Sequence, residues 1–191
     1  METTKANIYK GYHEVVTDHF YKWEKAQSKR YFEYRKKWVN NAKNLIVEDF
    51  PLHLDIGITN ICNLECTFCA RTVLVNEDKF REPAHMDFEL FKKIIDECAR
   101  YNLYSIRLSF RGEAFVNKHI FDMIKYAKDH GIKEVSTLTH GGFLDEEKFE
   151  ELIDLDLDWL TISFDGIGKT YEKIRYPLKF DDAVNKIKNF H

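Results

Sequence analysis

At 191 residues, 44% hydrophobic and 15% aromatic, the chain has enough apolar material to bury a core as one domain plus an extension. A formal net charge of −3 offers no basic field for a polyanion. No run approaches the ~20 apolar residues of a membrane span, and no signal-peptide core is read near the first residues, so reduced thiols and a cytoplasmic setting are expected.

The first fifty residues carry ten Lys and Arg against seven Asp and Glu, a net of +3 that leaves −6 for the remainder. That asymmetry is too small to argue for nucleic acid. Phe20, Trp23, Tyr31, Tyr34 and Trp38 recur near helical spacing, which predicts an N-terminal helix packed by its aromatic face; the sharper reading is an arm that docks substrate or a partner. A hinge near Asp49 to Pro51 divides a helical extension, 1–50, from a domain at 51–191. Beyond it, four short runs rich in branched and aromatic residues, near 53–58, 104–110, 134–139 and 159–164, alternate with amphipathic stretches near 87–100, 117–130, 145–155 and 181–190. Alternation of strand and helix predicts an α/β fold of parallel (βα) repeats, about four units of a partial TIM-like barrel. In the second amphipathic stretch Ile120, Met123, Ile124 and Ala127 mark an apolar face, with Gly131 as its C-cap, and Asp145 suits the start of the third.

Between the first strand and the first helix, Cys62, Cys66 and Cys69 fall within eight residues. Three thiolates from one loop can converge on a metal centre and leave one position free for a substrate or cofactor. Structural zinc takes a fourth ligand, commonly from a second Cys or Cys/His pair, and no such pair follows. Cys98 shares helical core spacing with Leu90, Phe91, Ile94 and Ile95, so it reads as a buried small hydrophobe. Thiols this few in a chain of this length do not make a disulfide framework.

Cys62-x3-Cys66-x2-Cys69, with Phe68 before the third cysteine, resembles the signature of radical S-adenosylmethionine (radical SAM) enzymes. In that family three thiolates hold a [4Fe-4S] cluster whose remaining iron is chelated by S-adenosylmethionine. The resemblance implies that Cys62, Cys66 and Cys69 ligate the cluster and that Phe68 lies against the adenine. Further elements follow in order. Arg107 to Ala114 resembles the Gly-Gly-Glu-Pro element, which assigns Gly112 and Glu113 to the methionine ammonium. Thr139-His140-Gly141 resembles the Thr-Asn-Gly segment, and Ile162-Ser163-Phe164-Asp165-Gly166 resembles the Ile-Ser-x-Asp-Gly segment, which turns Ser163 and Asp165 toward the ribose and methionine end. The run Thr170 to Arg175 also resembles the family, and the likeness covers about residues 53 to 190. Every one of these motifs falls at the carboxyl end of an expected strand, where parallel barrels build active sites.

Plainer readings stand beside these. Glu113 alone reads as a solvated loop charge, and Ser163 and Asp165 equally suit a helix cap or a turn at Gly166. Arg111 either neutralises a carboxylate of cofactor or substrate, or pairs with Glu113. His140 stands where Asn is usual, Ala114 where Pro is usual, and Asp156 where Gly often ends the third helix, a position Asp tolerates.

The resemblance implies cleavage of S-adenosylmethionine to a 5'-deoxyadenosyl radical that takes hydrogen from substrate, with a flavodoxin or ferredoxin as reductant. The substrate is left open between a peptide and a small molecule, and the likeness is to branches carrying SPASM/twitch auxiliary-cluster domains. The alternative is a non-catalytic iron-sulfur or zinc protein, for electron transfer or scaffolding. Complete members close six units, so a fragment is expected; otherwise the open edge at Asp158 to Phe164 invites self-association.

Overall fold

A computed structural model of the protein describes residues 5–9, 12–80 and 82–189, with side chains described from Val16 onward. The chain divides into two compact units, Met1–Glu48 and Asp49–His191. The first opens with a hairpin that the sequence analysis did not anticipate: β1 (Lys5–Tyr9) runs antiparallel to β2 (Tyr12–Val16), with Lys5 opposite Val16. Two helices follow. Thr17 caps α1 (Asp18–Lys25) and Ser28 caps α2 (Lys29–Asn44), each through its hydroxyl oxygen. The break at Ser28 splits the expected aromatic face, placing Phe20 and Trp23 on α1 and Tyr31, Tyr34 and Trp38 on α2. Tyr31 then meets Trp23 edge-on, with ring centroids 5.6 Å apart.

The second unit carries a four-stranded sheet in the order β3 (His53–Asp55), β4 (Ser105–Arg107), β5 (Glu134–Thr139), β6 (Trp159–Ile162), all parallel. Parallel neighbours need a crossover, and α4 (Phe88–Arg100), α5 (Ile120–Asp129) and α6 (Glu146–Asp154) supply one each. A short α3 (Ala70–Asn76) follows the cysteines, and α7 (Lys169–Ile174) and α8 (Phe180–Asn189) follow β6. Residue 190, where the last helix was expected to end, lies outside the described residues.

The apolar positions of the crossover helices decide which face of the sheet they cover. Phe91 and Ile95 of α4 and Met123, Ile124 and Ala127 of α5 are buried in one cluster with Ile106 and Val135 of the sheet. Cys98 lies in the same cluster, and burial pushes its thiol up to about 11, as suits a structural thiol. Strand residues alternate between faces, so His53, Asp55, Ser105, Arg107, Glu134 and Ser136 share the opposite, polar face.

Caps set the boundaries. Asp87 and Asp145 accept from the backbone N–H groups of Leu90 and Lys148 at 3.0 and 2.9 Å. Asp156 takes φ 55° after α6, and Gly131 takes φ 89° after α5. The strands β3 and β4 are shorter than expected because the chain peels away beyond Asp55 and Arg107. Those departing segments, together with the ends of β5 and β6, build the site.

Candidate cofactor site

The segment entering the cysteine loop is fastened before it reaches Cys62. Asn60 Oδ1 accepts from Ala84 N–H at 2.8 Å, and Asn60 Nδ2 donates to the Glu82 carbonyl at 3.1 Å. The loop itself is pinned to the carboxyl end of α7 and the residues just beyond it: Glu65 N–H donates to the Tyr176 carbonyl at 3.0 Å and Thr67 N–H to the Ile174 carbonyl at 3.2 Å. Arg175 lies between those two anchors, and its Nη1 reaches Cys66 Sγ at 3.7 Å. Its guanidinium also stands 5.5 Å from the centroid of the Phe68 ring, which is 61% exposed.

The next strand end packs backbone against backbone. Gly112 takes φ +68°, and a Cβ there would stand 2.5 Å from the Ile61 carbonyl oxygen and 2.8 Å from that of Thr59. Only glycine allows this approach. Glu113 N–H then donates to the Ile61 carbonyl at 2.7 Å, which ties the end of β4 directly to the residue before Cys62.

Glu113 is 2% exposed, so it is not the solvated loop charge of the plainer reading. Its Oε1 accepts from the Thr139 hydroxyl at 2.5 Å and its Oε2 from His140 N–H at 2.9 Å. Arg111 is not its partner; that side chain is exposed, with its guanidinium 5.6 Å from the Phe110 ring centroid. His140 is buried, and its Nδ1 accepts from Gly142 N–H at 2.9 Å, so hydrogen bonding assigns the ring proton to Nε2. That nitrogen faces Asn63 Oδ1 at 2.9 Å. Burial lowers the His140 pKa, with Arg175 and Lys186 acting in the same direction against Glu113, and the ring stays neutral. His140 therefore links the cysteine loop to the end of β5.

These elements enclose a pocket of about 110 Å3, walled by Cys62, Cys66, Cys69, Phe68, Gly112, Glu113, His140, Ser163 and Arg175, among others. Of the residues expected from sequence, Asp165 does not line it; its carboxylate is paired with the Arg175 guanidinium. Arg175 is a pocket-lining residue that sequence reasoning did not single out, although it closes the run Thr170 to Arg175.

All four cysteines are free thiols. Burial raises the pKa values of Cys62 and Cys66, opposed by Arg71 at the first and Arg175 at the second. Among the described residues no group of three His, Cys, Asp or Glu side chains stands at metal-holding separations. The fit to a cluster rests instead on the donor set: three thiols from one loop share one pocket beside a guanidinium. Soft thiolate donors of this kind suit an iron-sulfur cluster.

Residues 56–191 match the family model of the Radical SAM superfamily, and the chain belongs to that family. The cofactors of the family, a [4Fe-4S] cluster and S-adenosylmethionine, are those of this domain. The tungsten-containing aldehyde ferredoxin oxidoreductase cofactor-modifying protein of Pyrococcus furiosus is 29% identical over 147 residues, covering 69% of this chain and 40% of the relative. A probable GTP 3',8-cyclase of Methanocaldococcus jannaschii is 33% identical over 140 residues, covering 71% of this chain and 44% of the relative. The chain thus spans less than half the length of either. The crystal structure of Streptococcus suis SuiB bound to S-adenosylmethionine shares the fold, with a TM-score of 0.61 at 18% identity over 93% of this chain and 38% of that one.

Proposed function

We propose that residues 51–191 form the cofactor-binding part of a radical SAM enzyme, with 1–50 as its extension. In this reading Cys62, Cys66 and Cys69 ligate the cluster and Glu113 receives the methionine ammonium. Phe68 lies against the adenine, and Ser163 faces the ribose and methionine end. The observation that carries it is the convergence of residues from four strand ends, 62 to 163, on one pocket. The bound pair supplies a 5'-deoxyadenosyl radical that abstracts hydrogen from substrate.

The chain's own residues prepare that seat. Thr139 and His140 fix the Glu113 carboxylate without exhausting its acceptor capacity, because an ionised carboxylate offers about four lone-pair sites. Gly112 sets the approach of that carboxylate to the cysteine loop. Asp165 acts at one remove: its ion pair orients Arg175 toward Cys66 and Phe68. The substrate is a peptide or a small molecule. The small-molecule side is supported by the GTP named for one relative, and the peptide side by a second SuiB structure bound to its precursor peptide SuiA. The reductant is a flavodoxin or ferredoxin.

The test is anaerobic incubation of the reconstituted chain with S-adenosylmethionine and dithionite, followed by chromatography for 5'-deoxyadenosine. Product formed by the native chain and absent from Cys62→Ala supports the reading. A chain with a full cluster and no product contradicts it.

A further inference from the structure

Beside the cysteine pocket lies a second cavity, of about 290 Å3, whose walls include Arg71, Leu74, Phe80, Phe110 and Arg111. It shares Cys69, Arg71 and Gly112 with the cysteine pocket. We propose that this cavity is a substrate subsite for an oxyanion, carboxylate or phosphate, carried on a flat apolar body. The inference rests on reading the cysteine pocket as the cofactor site, since that reading makes its neighbour a place where substrate arrives.

Two guanidiniums face a cavity with apolar walls. Arg71 lies 5.1 Å from the Phe80 ring centroid and Arg111 lies 5.6 Å from that of Phe110. Arg71 spends its Nε–H on the Asn60 carbonyl at 3.1 Å, which fixes the fork and leaves the terminal nitrogens without a protein acceptor among the described residues. The carboxylates close by are already committed: Glu113 to Thr139 and His140, and Asp165 to Arg175. Among the described residues neither Arg71 nor Arg111 meets a carboxylate. A guanidinium matches a carboxylate or phosphate with two parallel donors, and the aromatic faces hold its plane in place. Phe110 is 66% exposed and sits between this cavity and a third one lined by Thr59, His85 and Met86, so it offers a face for a planar group to cover. Cation and aromatic together recognise an anion on a planar framework better than either does alone.

The experiment is calorimetric titration of the full chain with phenyl phosphate and with benzoate, before and after anaerobic cluster reconstitution. Arg111→Gln and Phe110→Ala are titrated in parallel, and iron content and the spectral response to S-adenosylmethionine are recorded on the same samples. Binding of either probe to the native chain, weakened about tenfold or more in Arg111→Gln, supports the subsite. The stronger of the two probes identifies phosphate or carboxylate as the preferred anion. Absence of binding by both probes, or equal binding to Arg111→Gln, overturns it. Displacement of the probe by S-adenosylmethionine also overturns it, because the cavity then belongs to the cofactor. Since probe binding is read with and without the cluster, failure to assemble a cluster counts against the proposed function and leaves the subsite result standing by itself.

Discussion

The two ends of the parallel sheet use similar residue types to opposite effect. Near the amino end Ser105, His53 and Asp55 form a Ser-His-Asp chain, with His53 Nδ1 at 2.8 Å from Ser105 Oγ and Nε2 at 3.1 Å from Asp55 Oδ1, the ring nitrogens the reverse of those in a hydrolytic triad. Yet Ser105 is 0% exposed, and its hydroxyl donates to Glu134 Oε1 at 2.7 Å, so its proton is committed to a carboxylate and its oxygen meets no substrate. Asp158, just before β6, is closed by Lys128 at 2.9 Å, and Asp55, the last residue of β3, by Arg107 at 2.7 Å. At the carboxyl end the buried Glu113 is equally well held, but around it three thiols and the Arg175 guanidinium open on a pocket. A contact pattern is therefore no guide to chemistry until access is counted. Barrels place stability at one end and reaction at the other.

The strongest way to break this comparison is to disturb the carboxyl end where its two backbones touch. Gly112→Ala forces a Cβ into the Ile61 carbonyl at a left-handed φ, and should cost about 1–3 kcal/mol of unfolding free energy in denaturant titration, along with much of the iron content. Full stability and full iron would show that the loop is not seated on Gly112. Glu113→Gln keeps the shape and removes the charge. It should keep the cluster while weakening S-adenosylmethionine binding about tenfold, as removal of a charge-assisted contact does. Unchanged affinity by equilibrium dialysis would remove Glu113 from the cofactor.

The amino end should respond in the opposite sense. Ser105→Ala removes the buried hydrogen bonds of Ser105 with His53 and Glu134 and should cost about 1–2 kcal/mol of stability, with the response to S-adenosylmethionine untouched. A smaller effect, about 1 kcal/mol at neutral pH, is expected from Asp145→Ala, which removes the cap of α6. Hydrogen bonds from Lys148 hold the Asp145 carboxyl below its usual pKa. Its contribution is therefore present above the ordinary aspartate range and is lost as pH falls through the depressed value, so wild type and variant should converge in acid denaturation.

Much of this was legible in the chain. The run Glu134 to Thr139 gave β5 residue for residue, because its branched residues favour a pleated strand. The cysteine triplet was legible from its spacing in one loop, whereas Gly112 and Glu113 were legible only through the resemblance to the Gly-Gly-Glu-Pro element; the close backbone approach at Gly112 came from the fold. The hairpin of β1 and β2 was missed; the signal available was Gly11 between two runs holding Ile8, Tyr9, Tyr12, Val15 and Val16. The break between α1 and α2 was missed; the signal available was Ser28, a capping residue inside the aromatic spacing. The link from His140 to Asn63 spans 77 residues, and the pairing of Arg175 with Asp165 and Cys66 depends on how the loop is pinned at the end of α7. Such partnerships arise from tertiary placement, which local pattern does not encode.

The central claim is that Cys62, Cys66 and Cys69, seated beside Glu113, carry the cluster that meets S-adenosylmethionine. Its most direct test is anaerobic reconstitution of the native chain and of Cys66→Ala, with iron counting and electron paramagnetic resonance of the reduced samples with and without S-adenosylmethionine. The account predicts the signal of one [4Fe-4S] cluster, lost in the variant and altered by S-adenosylmethionine. Zinc in place of iron, or a cluster signal indifferent to S-adenosylmethionine, would contradict it.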